Sequence, residues 1–178
     1  MLASPKIVLL DSGVGGLTIC AAIANRLPDA DLIMVADSAF FPYGDKTAEQ
    51  LEERVSTLAL SLVKEHKPDI LVLACNTATV YALKRVRELV DIPVIGTIPS
   101  VKPAARISLT GTVGVLATPG TVQGKYFLDY VAEQAPGANV LLQGTVALVR
   151  LPEQKLRGSQ PSAEELWASV EALFKQQG

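Results

Sequence analysis

The sequence repeatedly places a short, continuous apolar run before a polar cluster, and an amphipathic stretch after it. The first such run, residues 6–10, reads KIVLL and is followed by DSGVGG. Continuous apolar strands are buried on both faces, which is typical of parallel sheets covered by helices on each side. The pattern therefore predicts an α/β fold. The predicted strands are residues 6–10, 32–36, 70–74, 93–96, 112–117 and 139–142.

The amphipathic stretches between these runs predict the helices. Thr47 and Gln50 have the spacing of a capping box, which predicts a helix from there to about residue 66. Residues 17–27 have apolar side chains at helical spacing, and Pro28 ends that helix. The face expected to enter the core there carries Leu17, Cys20, Ala24 and Leu27. Further helices are predicted at 76–90, 101–109, 122–133 and 163–176, with a polar loop at 151–161.

The strand–helix pattern restarts after Gly96, which predicts two domains. Residues 1–97 are expected to form a doubly wound domain with a parallel sheet. Residues 98–178 are expected to form an incomplete second α/β domain.

Composition excludes several classes of protein. The chain has 178 residues, of which 49% are hydrophobic, so it is not intrinsically disordered. Its net charge of −2 provides no general basic field for nucleic acid or a membrane surface. Two cysteines make no disulfide framework, one histidine makes a zinc site very improbable, and no signal peptide is evident at the start. A cytoplasmic protein without a metal is expected.

Polar side chains follow three of the predicted strands, where ligands bind in parallel sheets. They are Asp11–Ser12–Gly13, Asp37–Ser38 and Cys75–Asn76–Thr77. These clusters are expected to meet along one edge of the sheet.

The glycine cluster after Asp11 permits three interpretations. The following helix N-terminus favours a small anionic ligand. A dinucleotide fingerprint is the second interpretation, with Asp37 at the place of a ribose-binding acid, although Thr18 replaces the third glycine. A simple turn without a ligand is the third.

Cys75 lies between a buried strand and a helix N-terminus, which lowers the pKa of a thiol. It is therefore placed to be a thiolate acting as base or nucleophile, although a small core residue would fit the same pattern. Cys20 is expected in the core and His66 at the surface. The loop with Tyr43 and Gly44 is either a plain turn or a source of donors for a ligand.

Several segments of the sequence, taken together and in their order along the chain, resemble the glutamate racemases of the aspartate/glutamate racemase superfamily. They are Asp11–Ser12–Gly13–Val14–Gly15–Gly16–Leu17, Ala36–Asp37, Phe41–Pro42–Tyr43–Gly44, Ala74–Cys75–Asn76–Thr77–Ala78, Pro93–Val94–Ile95–Gly96 and Gly114–Val115–Leu116–Ala117–Thr118–Pro119–Gly120–Thr121.

The resemblance implies cofactor-free interconversion of L- and D-glutamate, which supplies D-glutamate for bacterial peptidoglycan and thus for cell wall biogenesis and cell shape. It implies that Cys75 works on one face of the α-carbon with help from Asp11. It also implies that the substrate-binding residues are Asp11, Ser12, Tyr43, Gly44, Asn76 and Thr77, with Thr118, Thr121 and Glu153 as further pocket candidates.

The sequence departs from the family in one respect. The family's second catalytic cysteine lies in a Cys–Thr–His segment that this sequence does not contain. The chain is accordingly expected to end about where the second catalytic half begins, to be inactive alone, and to expose apolar surface that favours a homo-oligomer. Two other functions stay open: a dicarboxylate-binding module without turnover, and a hydrolase with Cys75 as nucleophile.

Overall fold

The computed structural model describes residues 4–175 and divides the chain into two compact units between Ile98 and Pro99. The first unit alternates strands and helices along the chain, as the sequence pattern predicts. Its elements are β1 (Lys6–Asp11), α1 (Gly16–Arg26), β2 (Asp31–Ala36), α2 (Ala48–His66), β3 (Ile70–Leu73), α3 (Asn76–Leu89) and β4 (Val94–Gly96), with a 3-10 turn at Tyr43–Asp45.

The strands of the first unit form one parallel sheet in the order β2-β1-β3-β4. Residues of β1 alternate between its two faces. Val8 and Leu10 belong to the core beneath α2 and α3, and Ile7 and Leu9 to the core beneath α1. With helices on both faces, this unit is the doubly wound α/β structure that the sequence predicts. All strands end at the same edge, so β1 and β3 deliver Ser12 and Cys75 side by side.

Helix α2 begins as its sequence predicts. The Gln50 amide N–H donates to Thr47 Oγ1 at 3.2 Å, and the Thr47 N–H donates to Gln50 Oε1 at 3.0 Å. This reciprocal pair satisfies amides that otherwise lack partners in the first turn. The local sequence thus defines where the loop that follows β2 ends.

The predicted inward face of α1 is correct at Cys20 but wrong at Leu17, Ala24 and Leu27, which are exposed. Leu17 and Leu27 are 52% and 47% exposed, whereas Ile19, Cys20 and Ile23 pack against the sheet. Apolar side chains lie on most sides of this helix, so periodicity alone does not define its rotation. Packing at Gly16 constrains the rotation, because a Cβ there would lie 2.9 Å from the Asp11 Cβ.

The second unit has a smaller parallel sheet, in which β5 pairs with β6 in register from Thr112–Asn139 to Ala117–Gly144. Phe127 is fully buried in its core, together with Val101 and Val122. The elements are α4 (Val101–Ile107), β5 (Thr112–Ala117), α5 (Pro119–Gln123), α6 (Lys125–Gln134), β6 (Asn139–Gly144), α7 (Ala147–Leu156) and α8 (Ala163–Lys175).

Two predictions for the second unit need correction. The predicted loop at 151–161 is largely helix α7, because leucine, glutamate, glutamine and lysine favour helix around Pro152. The predicted helix at 122–133 is interrupted at Gly124, whose extended backbone separates α5 from α6. The last helix begins after Ser162, as predicted, and its expected final residue, Gln176, lies outside the described residues.

None of the helices within residues 4–175 has the length and apolar character needed to cross a bilayer.

Candidate functional site at the carboxyl edge of the first sheet

The carboxyl ends of β1 and β3 bring a hydroxyl and a thiol together. Ser12 Oγ lies 3.8 Å from Cys75 Sγ, which is within hydrogen-bonding range for sulfur. Ser12 is 5% exposed and Cys75 is 9% exposed, so the pair is sheltered from solvent. The structure therefore joins two of the predicted site residues that are 63 positions apart in the chain.

Asp11 makes the turn between β1 and α1. Its Oδ1 accepts from the Ser12 N–H at 2.7 Å, and its Oδ2 accepts from the Gly16 N–H at the start of α1. The carboxylate thus takes two of the amides at the turn into α1. The dinucleotide interpretation is not supported, because a pyrophosphate at this helix N-terminus would meet the chain's own anion, whereas the interpretation as a site for a small anionic ligand stays a prediction.

Cys75 precedes α3, but its environment opposes the thiolate. Two effects raise the pKa of the Cys75 thiol from an ordinary 9.0 to about 11. The larger is burial, and the smaller is the negative charge of Asp11. The Ala78 and Thr77 amides and the Ser12 hydroxyl favour the thiolate without offsetting these effects. The expectation of a lowered pKa is therefore wrong for this state, and Cys75 is protonated at neutral pH.

Asn76 and Thr77 form the first turn of α3, immediately beyond the thiol. Thr77 is 2% exposed and Asn76 is half-buried, so the two differ in access to the site. Thr79, one turn further on, donates to the Leu73 carbonyl and accepts from the Thr97 N–H at 3.0 Å. These bonds fix the first turn of α3 against the ends of β3 and β4.

Tyr43 and Gly44 lie in the 3-10 turn, which contacts α3. The Tyr43 side chain is 1% exposed and belongs to the same buried cluster as Cys75. Its hydroxyl donates to Asp37 Oδ2 at 2.9 Å. Burial and this carboxylate raise the pKa of Tyr43 far above its usual range, so the phenol keeps its proton and directs it to Asp37.

Asp37 also receives a bidentate ion pair from Arg54 of α2. Arg54 Nε lies 2.8 Å from Oδ2 and Nη2 lies 2.7 Å from Oδ1. The guanidinium, despite the burial of Asp37, holds the pKa of that carboxyl below its usual value. A ribose-binding role is not supported, because Tyr43 and Arg54 occupy both carboxylate oxygens. Sequence reasoning did not find Arg54, since a charged residue on an amphipathic helix has no local signal of a distant partner.

The remaining candidates belong to other elements of the chain. Cys20 packs on the α1 face of the sheet, opposite the cluster of Cys75. The His66 carbonyl accepts from Lys6 Nζ at 3.3 Å, at the start of β1 and thus at the other edge. In the second unit, Thr118 caps α5 with its hydroxyl 2.9 Å from that of Thr121, and Glu153 lies in α7. Across residues 4–175, no group of three or more His, Cys, Asp or Glu side chains is arranged to hold a metal ion.

The family model of the Asp/Glu/Hydantoin racemases matches residues 17–178 and so covers most of this chain. This chain belongs to that family. Its curated relatives include glutamate racemases. The enzyme from Haemophilus ducreyi is 42% identical over 153 residues, covering 86% of this chain and 58% of the relative. The enzyme from Vibrio cholerae is 39% identical over 169 residues, covering 95% of this chain and 63% of the relative.

Solved structures similar to this chain are also glutamate racemases. Escherichia coli glutamate racemase in complex with L-glutamate and the activator UDP-MurNAc-ala has a TM-score of 0.90 and 35% identity. The Francisella tularensis enzyme in complex with D-glutamate has a TM-score of 0.82 and 26% identity. Each match covers 98% of this chain but only 66% and 65% of those proteins. The chain thus spans about two thirds of the solved structures, and 58% and 63% of the two curated relatives.

Proposed function

We propose that this chain carries one half-site of a glutamate racemase that needs no cofactor. Residues 1–97 are assigned as the first racemase domain and residues 98–178 as part of the second. The observation that carries the proposal is the buried contact of 3.8 Å between Ser12 Oγ and Cys75 Sγ, next to Asp11. The glutamate racemase relatives support it, as do the solved relatives that hold L- or D-glutamate.

Cys75 is the proposed acid and base for one face of the substrate's α-carbon. As a base, its thiolate takes the α-proton, and the electron pair stays on the substrate as a carbanion. As an acid, its thiol returns a proton to that carbon. Because the pKa of about 11 leaves the thiol protonated at rest, the base form has to be favoured by something that arrives with the substrate.

The substrate's ammonium group meets that requirement. Asp11 is the anion whose charge helps to raise the pKa of Cys75. A cation bound beside Asp11 offsets this repulsion and favours the thiolate, so binding itself activates the base. Ser12, Asn76, Thr77, Tyr43 and Gly44 are proposed to bind the remaining polar groups. The donors here are short side chains and backbone amides, which suit carboxylates.

Racemisation requires a second acid and base on the opposite face of the α-carbon. Cys20, the other cysteine of the sequence, packs on the far face of the sheet. Losing a positioned acid or base lowers a rate by about 10²- to 10⁴-fold. We therefore propose that the 178-residue chain does not racemise glutamate at an ordinary enzymatic rate.

The biological role that we propose is to supply D-glutamate for peptidoglycan, and hence for cell wall biogenesis and cell shape, in the cytoplasm. Pairing of copies through exposed apolar surface is part of the same proposal. Neither nucleic acid nor a membrane is an expected partner, given the net charge of −2.

Binding without turnover is the second candidate function, because the thiol is protonated at neutral pH. A Cys75-dependent hydrolase is disfavoured, since His66 lies at the opposite edge of the sheet. The test measures glutamate binding by calorimetry and D-glutamate formation for the chain and for Ser12→Ala, Cys75→Ser and Glu88→Gln. Glu88 forms an exposed ion pair with Arg85 and serves as the charge control.

We expect saturable glutamate binding that Ser12→Ala and Cys75→Ser weaken and Glu88→Gln preserves. D-glutamate formation is expected to stay at background in all four proteins. Absence of glutamate binding would contradict the proposed substrate. Rapid turnover that disappears in Cys75→Ser would instead contradict the single half-site.

A further inference from the structure

Asp37 has no part in the proposed proton transfer, yet it is a buried carboxylate with an extensive set of partners. It is 5% exposed, and three donor atoms from Tyr43 and Arg54 lie between 2.7 and 2.9 Å from its two oxygens. Its backbone carbonyl also accepts from the Phe40 N–H at 3.1 Å. A buried charge with this many bonds costs little only while all its partners hold their places.

These bonds connect Asp37 to the site on two sides. The Asp37 N–H donates to the Asp11 carbonyl at 2.8 Å, so the backbone at the end of β2 is bound to the end of β1. Through the Tyr43 hydroxyl, Asp37 also holds the ring that lies in the same buried cluster as Cys75. Gly44 follows Tyr43 directly in the same 3-10 turn.

The Phe40 ring contacts Arg54, Lys46 and Tyr43. The Arg54 guanidinium carbon lies 5.7 Å from the centre of the Phe40 ring, and Lys46 Nζ lies 5.3 Å from it. The Phe40 and Tyr43 rings meet edge to face, with centroids 6.3 Å apart. Arg54 is therefore oriented by the ring as well as by the carboxylate.

We propose that Asp37, fixed by Arg54, is a positioning residue that holds Tyr43 and the Gly44 backbone against Cys75. Its carboxylate does not touch the substrate. It sets the position of the Tyr43 ring by accepting a hydrogen bond from the Tyr43 hydroxyl. The effect on glutamate binding rests on the proposed function, whereas the effect on access to Cys75 does not.

The test measures the alkylation rate of Cys75 by iodoacetamide at pH 8 in a Cys20→Ser background. The variants are Asp37→Asn, Tyr43→Phe, both together, and Arg54→Gln. Because the loop shields a thiol that is 9% exposed, Asp37→Asn is expected to raise the rate about fivefold, the effect of weakening one charged hydrogen bond. Tyr43→Phe is expected to match it, and the double variant to add less than about twofold, since Asp37 acts through Tyr43.

Val72→Ala is the stability control. Val72 is buried on the α1 face of the sheet, so its truncation lowers the melting temperature without touching the loop. We expect Cys75 in Val72→Ala to be alkylated at the same rate as in the chain without this substitution. If Asp37→Asn fails to fold, Arg54→Gln, at a partly exposed position, carries the same expectation.

The proposal would be overturned if the Cys75 alkylation rate in Asp37→Asn were within twofold of the rate in the chain without this substitution. Independent, multiplying effects of Asp37→Asn and Tyr43→Phe, or an equal increase in Val72→Ala, would also overturn it. Glutamate affinity is measured in parallel. If the unmodified chain binds no glutamate, the proposed function fails, and the alkylation rates still decide whether Asp37 positions the loop.

Discussion

Replacing Asp11 by asparagine is expected to lower the pKa of Cys75, because it removes the negative charge that helps to raise it. Over the range of about 4–6 Å in which a neighbouring charge shifts a pKa, two unit charges repel by about 0.7–1 kcal/mol in water and by about 3–4 kcal/mol at an effective dielectric constant near 20. A shift of one unit in the pKa corresponds to about 1.4 kcal/mol, which lies between the repulsion energies in water and at the lower dielectric constant. Burial, the larger cause, remains in the variant. The pKa is therefore expected to fall from about 11 to about 10.

The assay is the pH dependence of Cys75 alkylation in the Cys20→Ser background, read by site-resolved mass spectrometry. At pH 8 the variant is expected to hold about ten times more thiolate, but the weaker nucleophilicity of a more acidic thiol reduces the gain in rate to about threefold. The midpoint of the profile is the cleaner measure. Asp11→Asn also disturbs the bonds to Ser12 and Gly16, so it is expected to cost about 1–3 kcal/mol of stability.

Asp69→Asn is the matched control, because Asp69 Oδ2 accepts a backbone N–H, that of Lys6, at 2.7 Å. This carboxylate lies at the other edge of the same sheet, and its removal is expected to leave the Cys75 midpoint unchanged. An unchanged or higher midpoint in Asp11→Asn would refute the electrostatic reasoning. So would an equal shift in Asp69→Asn, which would indicate a general loosening of the unit.

Three further predictions concern stability. The pKa of Cys75 is about 11 in the folded chain against an ordinary 9.0, so the folded state holds more protons between these values. Stability is therefore expected to fall by about 2–3 kcal/mol as pH rises through this window, and chemical denaturation should show that Cys75→Ser lacks this component. Gly16→Ala is expected to cost about 1–3 kcal/mol, since its Cβ would lie 2.9 Å from the Asp11 Cβ, whereas Gly15→Ala meets only Asp11 Oδ2 at 3.1 Å and should cost less. Phe127→Ala is expected to destabilise the second unit by about 3–5 kcal/mol, measured by its own unfolding transition, because this side chain is fully buried. Equal costs at the two glycines, a pH profile unaffected by Cys75→Ser, or a mild Phe127→Ala would contradict these expectations.

Much of the first unit could be predicted because its signals are local. The apolar run in β1 and the Thr47–Gln50 capping box each specify structure within a few residues. The meeting of Ser12 with Cys75 follows from one general rule about parallel sheets. Periodicity does not define the buried face of α1, because apolar side chains lie on most sides of the helix. In α7, the polar composition conceals the helix propensity of the residues.

The chemistry of the site was harder to predict because it depends on distant partners. A helix N-terminus correctly predicts amides near Cys75, but burial and Asp11 decide its pKa. Arg54 meets Asp37 only after α2 packs against the sheet, a pairing across 17 residues that no spacing rule indicates. The electrostatic properties of Cys75 and Asp37 therefore depend on the folded arrangement, whereas the meeting of Ser12 and Cys75 could be predicted from the sheet alone.

Exchange of the α-hydrogen of glutamate for deuterium tests the proposed half-site most directly. The 178-residue chain is incubated in D₂O with pure L- or D-glutamate, and the α-proton signal is followed by NMR beside Cys75→Ser. One acid–base group on one face predicts exchange of a single enantiomer without inversion, and no exchange in the variant. Exchange of both enantiomers, or of neither, would contradict the assignment of Cys75 as the acid and base for one face.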